Sequence, residues 1–419
     1  TLMQHANYNE TNGIIVGPEI SRIFAEIILQ RIDSNVLNRL KQEPYALKLG
    51  RDYEVRRYVD DHYIYANSKD NLRLILDIYK EELQFYKLYI NESKLEFFER
   101  PFVSDVSDAK REISALISNI SEYWLAKDED GKYKHIVKNE IKPFTTVVNN
   151  FRSITHKSNQ KYGTLNRYFL SLLVSQLNKE YKNTQAAGAT AGLLLMYLEI
   201  SFYVFSLDMN VSASIKMCRI LDNLHKWAEK CMDKTILPEL ENRIYREVKR
   251  CLDIYEINKK NGEINIEILN LILSLNRIMR TPMSRAQLEK LFNVVNGSAM
   301  EYEHLNYFQI CSLLYIIGGD PGYEDIRLKI LNEIIHRVEK ENAMWYADTA
   351  MLFFDSLACP FFKKTEKKDI LVKACKYTDK TAYKKLTIYN KTERWFFNWD
   401  KTCNLSESLS KKEYHSPYE

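Results

Sequence analysis

The sequence predicts an α+β protein: a short mixed region, residues 1–103, carrying a helix and an antiparallel hairpin, then a large all-α region, residues 104–419. Three observations carry this. Residues 53–68, YEVRRYVDDHYIYANS, set two aspartates between short runs of aromatic and β-branched residues, the pattern of a hairpin around a polar turn. Further on, apolar residues recur at helical spacing in one segment after another. Gly and Pro number only 12 and 9 in 419 residues, so tight turns are few and helices long.

The elements follow in order. GPEISRIFAEIILQRID (17–33) opens with Gly17 and then Pro18, which suits the first helical position. Ile20, Phe24, Ile27 and Ile28 recur at helical spacing, which predicts a buried face. The hairpin comes next, with Asp60 and Asp61 at its tip. SKDNLRLILDIYKEELQFYKLYI (68–90) marks an amphipathic helix through Leu72, Ile75, Leu76, Tyr79 and Leu83. LEFFERPF (95–102) reads as a short strand ended by Pro101.

Beyond residue 103, helices dominate. In YEDIRLKILNEIIHRVEKEN (323–342), Ile326, Ile330, Ile334 and Val338 line one face at intervals of four. EINIEILNLILSLNRIMR (263–280) is more uniformly apolar and stops before Pro282. SRAQLEKLF (284–292) begins with a capping box, Ser284 and Gln287. GGDPG (318–322) and NG (261–262) separate helices. No strict repeat recurs; alternating amphipathic and all-apolar helices suit an irregular, HEAT-like helical solenoid.

Composition sets outer bounds. Apolar residues are 45% and charged residues 28% of the chain, the balance of a globular protein with a sizeable core. A net charge of +4 neither demands nor excludes a nucleic-acid partner, because a local patch can be basic while the whole is nearly neutral. Cys218, Cys231, Cys251, Cys311, Cys359, Cys375 and Cys403 form no C-x-x-C pair, which points to reduced cysteines in a cytosolic protein and away from a zinc site. AGLLLMYLEISFYVFSL (191–207) contains Glu199 and is short for a bilayer span, so it reads as a buried core helix. The chain opens TLMQHANYNETNG without an initiator methionine, as processing or a longer parent protein would leave it.

Three segments in order say more than the aspartate pair alone. NGIIVGPEISR (12–22) is a glycine loop leading into a helix. YVDD (58–61) is the hairpin turn. LYINESKLEFF (88–98) follows. This succession resembles the palm of a reverse transcriptase: a glycine loop and helix beneath template–primer and nucleotide, the Y-x-D-D hairpin as Tyr58-Val59-Asp60-Asp61, and an N-x-x-K element as Asn91 and Lys94. Residues 1–103 would then be the C-terminal part of such a palm.

The chemistry accounts for the residue types. Nucleotidyl transfer uses two Mg²⁺ ions that clamp the attacking and leaving oxygens of an in-line displacement. Mg²⁺ takes a few carboxylates plus substrate phosphates, and paired acids at a hairpin tip suit it, since a shared cation offsets their repulsion. The resemblance implies that Asp60 binds metal most directly and Asp61 supports it. It places Tyr58 and Val59 beside the primer end, and Gly17 and Ser21 where backbone and substrate approach closely. Lys94 would protonate or neutralise the leaving pyrophosphate. Taken singly, the aspartates also fit a plain turn, Gly17-Pro18 a helix start, and Lys94 a solvated surface charge. Arg56 and Arg57 fit phosphate contacts and exposed strand positions equally. His62 reads as a packing residue.

The chain departs from the pattern twice. Templated members carry Pro-Gln before the Gly17 position, where this chain has Ile15-Val16, which puts ordinary template handling in doubt. The family's remaining catalytic aspartate lies on a strand upstream of the glycine loop, and nothing before Asn12 supplies it. Fingers and a first palm strand are therefore expected before Thr1 in the natural protein, and polymerisation is expected of the full-length protein only.

Within reverse transcriptases the chain is most similar to the bacterial phage-defence group, the abortive-infection enzymes AbiA and AbiK and their defence-associated relatives. FFERPFVSDVSDAKREI (97–113) leads straight into helices with no maturase or RNase H domain, and residues 198–221 and 344–362 look like helices of that group's C-terminal domain. The resemblance implies a cytoplasmic bacterial enzyme that uses dNTPs to make DNA during phage infection. Synthesis would be untemplated and protein-primed, or would copy a noncoding RNA. The enzyme would act as a homo-oligomer or with a partner polymerase subunit, away from any membrane.

Two other classes stay open. One is an inactive palm whose helical region scaffolds RNA or protein; an intact Y-V-D-D argues against it. The other is an RNase built on Arg219 and His225, which on IKMCRILDNLHKW (215–227) also fit plain helix decoration.

Overall fold

The computed structural model describes residues 2–7, 9–100, 105–120, 125–127, 133–135, 141–158, 162–183, 191–231, 233–258, 264–279, 283–294, 302–389 and 395–413. They fall into two units, Thr1–Phe102 and Val103–Glu419, each with its own apolar core.

In the first unit, the short helix α1 (Leu2–Ala6) and a glycine-bearing loop lead to α2 (Glu19–Lys41). Strands β1 (Tyr53–Tyr58) and β2 (Asp61–Ala66) pair antiparallel, from Tyr53 opposite Ala66 to Tyr58 opposite Asp61. Helix α3 (Lys69–Phe85) follows, its first turn capped where the Ser68 side chain accepts from the Asn71 amide. A single 3₁₀ turn spans Glu92–Lys94. Ile32, Val36 and Leu40 on the second half of α2 are fully buried, and Ile75, Ile78, Tyr79 and Leu83 of α3 close over them together with Tyr53. Arg39 ties the two helices further, reaching Glu82 at 2.9 Å and Glu81 at 2.6 Å.

Three expectations fail here. Ile20, Phe24 and Ile27 are exposed and only Ile28 is half-buried against the core. Within this unit α3 and Tyr53 cover α2 from Ile32 onward, whereas the first half of the helix meets the hairpin through charged side chains. Periodicity says which residues share a face, not whether that face has a partner. The described part of LEFFERPF, residues 95–100, forms no strand, and Phe97 and Phe98 are exposed; Pro101 and Phe102 lie outside the described residues. A strand needs a neighbour to receive its backbone groups, and among the described residues the hairpin sheet holds β1 and β2 alone. Pro18 stands one place earlier than expected, as the residue before the helix, with φ −65°.

Among its described residues the second unit is helical apart from a small hairpin, β3 (Leu125–Lys127) with β4 (Tyr133–His135), which the sequence reading misses. Its helices are α4 (Asp105–Ser118), α5 (Ile141–Lys157), α6 (Tyr162–Asn183), α7 (Ala191–Leu207), α8 (Val211–Lys230), α9 (Ile236–Asn258), α10 (Ile266–Met279), α11 (Arg285–Phe292) and α12 (Tyr307–Ile317), then α13 (Glu324–Glu339), α14 (Ala347–Ala358), α15 (Lys364–Cys375), α16 (Asp379–Tyr389) and α17 (Leu405–Glu413). The apolar run 191–207 is the core helix α7, buried on most sides. Among the described residues no helix is long and apolar enough to cross a membrane. Ile326, Ile330, Ile334 and Val338 are all buried along α13. The Ser284–Gln287 capping box forms as expected, and GGDPG separates α12 from α13, with Gly318 at φ +56°. NG (261–262) lies outside the described residues.

A buried carboxylate fastens the C-terminal stretch to this unit. Asp355 on α14 is fully buried. It accepts from the Tyr307 hydroxyl at 2.6 Å and from the backbone amides of Phe396 and Phe397 at 3.0–3.1 Å. The seven cysteines are free thiols. Burial pushes Cys218 up to about 11, and Cys251 and Cys359 up to about 12, so these three are inert at neutral pH.

Candidate active site

The β1–β2 register leaves two residues, Val59 and Asp60, to turn the chain. A two-residue hairpin loop needs positive φ to match the twist of its strands, and Val59 takes it, at φ +56°. A β-branched residue rarely adopts that backbone, so the turn holds local strain. The tip is therefore Val59-Asp60, and Asp61 is the first residue of β2 rather than part of the turn.

Alternation along the strands sorts the side chains into two faces. Tyr53, Val55 and Arg57 on β1, with His62, Ile64 and Ala66 on β2, face the interior of the unit. Arg56, Tyr58, Asp61, Tyr63 and Tyr65 lie on the open face with Asp60 beyond them, and Tyr58 is 63% exposed. Among the described residues neither Asp60 nor Asp61 is paired with a cation.

Arg57 explains why. Its guanidinium, 9% exposed, forks onto Glu26 at 2.7–2.8 Å and onto Asp33 at 2.7 Å, and donates to the Val59 carbonyl at 2.8 Å. The Glu26 and Asp33 contacts hold Arg57 charged well above any ordinary pH. Glu26 is lowered chiefly by its hydrogen bond to Arg57. Burial alone would raise the Asp33 carboxyl, but His62, whose Nε2 lies 3.7 Å away, and Arg57 outweigh it and the carboxyl falls below its usual range. Tyr79 donates to the other oxygen of Asp33 at 3.2 Å and packs edge-on against the His62 ring, while His62 Nδ1 sits 3.1 Å from the Asp60 carbonyl. The cation beside the turn is thus committed to α2, and the turn's own backbone is clasped at Val59 and Asp60. Arg57 is a structural clamp, not a phosphate contact; Arg56 pairs with Glu54 at 2.8 Å. His62 is the packing residue expected.

The remaining candidates sit as follows. Gly17, in the loop before α2, takes φ +117° with open space where a Cβ would project, so only its backbone demands glycine. Ser21, in the first turn of α2, is 4% exposed, and among the described residues its Oγ finds no hydrogen-bond partner. Five residues on, Glu26 binds the clamp, so Ser21 lies about 7.5 Å along the helix from a residue holding the turn. Asn91 caps the 3₁₀ turn through the Ser93 amide. Lys94 is exposed there, and Glu92 beside it pairs with Lys80 of α3 at 2.7 Å. The structure therefore gathers Tyr58, Val59, Asp60 and Asp61 at one tip and links α2 to it. Lys94 has no contact with the aspartates among the described residues.

Sequence reasoning missed Glu26, Asp33 and Tyr79. A signal was present: Glu26 and Asp33 stand seven apart, two turns along one face of α2, facing a strand arginine. Arg219 and His225, by contrast, are six apart on α8 and diverge by about 120° around the helix. His225 is braced between Glu241 at 3.0 Å and Glu229 at 3.8 Å.

Among the described residues no three His, Cys, Asp or Glu side chains converge on a common metal position. Two exposed, adjacent carboxylates nonetheless fit a hard cation that draws its other ligands from water and phosphate, as Mg²⁺ does. Neither the curated proteins nor the solved structures include a match to this chain. One family model does match, and it extends past Phe102 through α5: residues 4–160 are similar to reverse transcriptase (RNA-dependent DNA polymerase).

Proposed function

We propose that the protein is a DNA polymerase of the reverse-transcriptase type whose metal-binding carboxylates are Asp60 and Asp61. The observation that supports this most is the pair of exposed carboxylates at the hairpin tip, left without a cation because Arg57 is already engaged by Glu26 and Asp33. Bound Mg²⁺ would supply charge neutralisation for displacement at a nucleotide's α-phosphate. The chain's own residues do the rest. The clamp fixes the tip so that both carboxylates are held in place before substrate arrives. Tyr58, opposite Asp61 across the hairpin, presents an aromatic face to the primer end, and Val59 shapes the turn beside it. The positive-φ backbone at Gly17, with open space beside it, permits close approach of substrate, and the Ser21 hydroxyl, without a partner among the described residues, has a hydrogen bond to give. Lys94 delivers positive charge to the leaving pyrophosphate once the ligand brings its segment to the site.

In the finer reading, this is a phage-defence polymerase of the AbiA/AbiK-like group that consumes dNTPs in the bacterial cytoplasm. Its synthesis is protein-primed, or copies a noncoding RNA, within an oligomer. The similarity of residues 97–113, 198–221 and 344–362 to that group supports this.

The test is incorporation of labelled dNTP by the protein in its full natural length. Asp60→Ala and Asp61→Ala should each reduce incorporation to background while leaving the melting curve unchanged. Equal incorporation by the variants and the native protein would overturn the polymerase assignment. Mn²⁺ binding to the 419-residue chain, followed by water-proton relaxation, should fall in the same variants.

A further inference from the structure

The positive charge of the chain is concentrated in one place. Between Lys363 and Lys385 there are nine lysines and three acids, a net +6 against +4 for all 419 residues, so the rest of the chain is net acidic. The three acids do not neutralise the segment. Glu366 is taken by the buried Arg327 of α13 at 2.8 Å, and Asp369 and Asp379 both turn to Lys368 at 3.2 Å. Lys373 is matched by Glu339 and Lys363 faces Glu324. Lys364, Lys376, Lys380, Lys384 and Lys385 are exposed and have no acidic partner among the described residues.

Local structure arranges these charges. Helices α15 and α16 are joined by three residues, the first of which, Lys376, takes a left-handed backbone at φ +52°. So short a link makes the helices antiparallel neighbours, and the Lys368–Asp379 pair shows them meeting. Ala382 and Leu386 are the buried residues of α16. Lys380 and Lys384, one turn apart and about 6 Å along the axis, are left outward with Lys385. Between them Tyr383 is 46% exposed, with the Lys368 ammonium 5.8 Å from its ring centre.

We infer that the α15–α16 face is a binding surface for single-stranded nucleic acid, with Lys376, Lys380, Lys384 and Lys385 on the phosphates and Tyr383 stacking on a base. Charge complementarity names a polyanion, and an exposed aromatic ring set among cations is the arrangement that holds bases as well as backbone. An anionic membrane suits the surface less, because an interfacial helix needs a wide apolar face and the exposed residues of α16 are chiefly lysines and threonines, with Tyr383 and Ile388 the exposed large hydrophobics among the described residues. The proposed polymerase function supplies the reason for a strand to be at hand. The binding itself is independent of it.

The test is fluorescence anisotropy of the 419-residue chain with labelled single-stranded DNA and RNA oligonucleotides, in EDTA and without dNTPs, over a salt series. Lacking nucleotide and divalent ion, this titration reads the surface whether or not the hairpin polymerises. Each phosphate contact contributes about −0.7 to the slope of log K against log salt for a single strand. Replacing all four lysines by Gln should flatten that slope by up to about 3 and weaken binding at low salt at least tenfold. The matching Lys→Arg variant should restore both. Tyr383→Ala should weaken binding about fivefold with the slope unchanged, as loss of stacking does. A quadruple Gln variant with native melting behaviour, slope and affinity would overturn the inference. So would tight binding to phosphatidylserine vesicles with none to either oligonucleotide. Should the quadruple variant melt early, Lys380→Gln/Lys384→Gln carries the same test, with half the change in slope expected.

Discussion

The Arg57 guanidinium donates to the carbonyl of Val59, two residues ahead in the same chain, at 2.8 Å. Through this bond one side chain joins a strained hairpin turn to Glu26 and Asp33 of α2. The geometry of the two carboxylates at the tip rests on it.

Arg57→Ala should destabilise the first unit by roughly 2–3 kcal/mol, because it leaves two half-buried carboxylates and the Val59 carbonyl without their donor. Urea unfolding followed by the fluorescence of a probe in this unit measures the loss. Arg57→Lys should recover only a small part of it, since an ammonium cannot fork onto Glu26 while also reaching Asp33 and the Val59 carbonyl.

Val59 at φ +56° makes a second prediction. Asn tolerates the left-handed backbone that a β-branched residue resists, so Val59→Asn should raise the stability of the unit by about 1 kcal/mol. A destabilised Val59→Asn protein in the same urea titration would show that the turn holds no such strain. If the side chain shapes the primer site, polymerisation falls even as stability rises.

The clamp also sets an acid limit. Glu26 and Asp33 both lie below their ordinary values of 4.5 and 3.8 in the folded chain. For a carboxylate whose folded value is depressed, the stabilisation is present above the unfolded value and disappears as pH falls through the folded one. The first unit should therefore be unaffected above about pH 5 and lose stability progressively below the two ordinary values. In Glu26→Gln/Asp33→Asn this part of the acid transition should flatten, as read by the pH dependence of the unfolding midpoint.

In the second unit, Asp355→Ala should cost about 3 kcal/mol or more. Two backbone amides and the Tyr307 hydroxyl lose an acceptor in a dry interior. Limited proteolysis should then cut near residues 395–399 in the variant and not in the native protein. Equal protection in both would remove Asp355 as the fastening.

Thiol labelling provides an independent check on the core. Five of the seven cysteines are buried, and Cys375 and Cys403 are half-buried. A thiol reagent at neutral pH should modify no more than these two quickly in the native chain, and all seven after denaturation.

What the sequence determined by itself was whatever depends on near neighbours. The α13 face of Ile326, Ile330, Ile334 and Val338, the Ser284 cap, and the hairpin around Asp60 each follow from spacing over a few residues, where backbone geometry leaves few choices. The tertiary structure decided what depends on partners distant in sequence. It left Ile20, Phe24 and Ile27 exposed because no apolar element within their unit reaches them. It left residues 95–99 without a ladder for want of a neighbouring strand. It gave Arg57 to Glu26 and Asp33, 31 and 24 residues away, and so left Asp60 and Asp61 without a cation. Hydrogen bonds and ion pairs of that range have no period in the sequence. They exist only once folding has brought the donors and acceptors together.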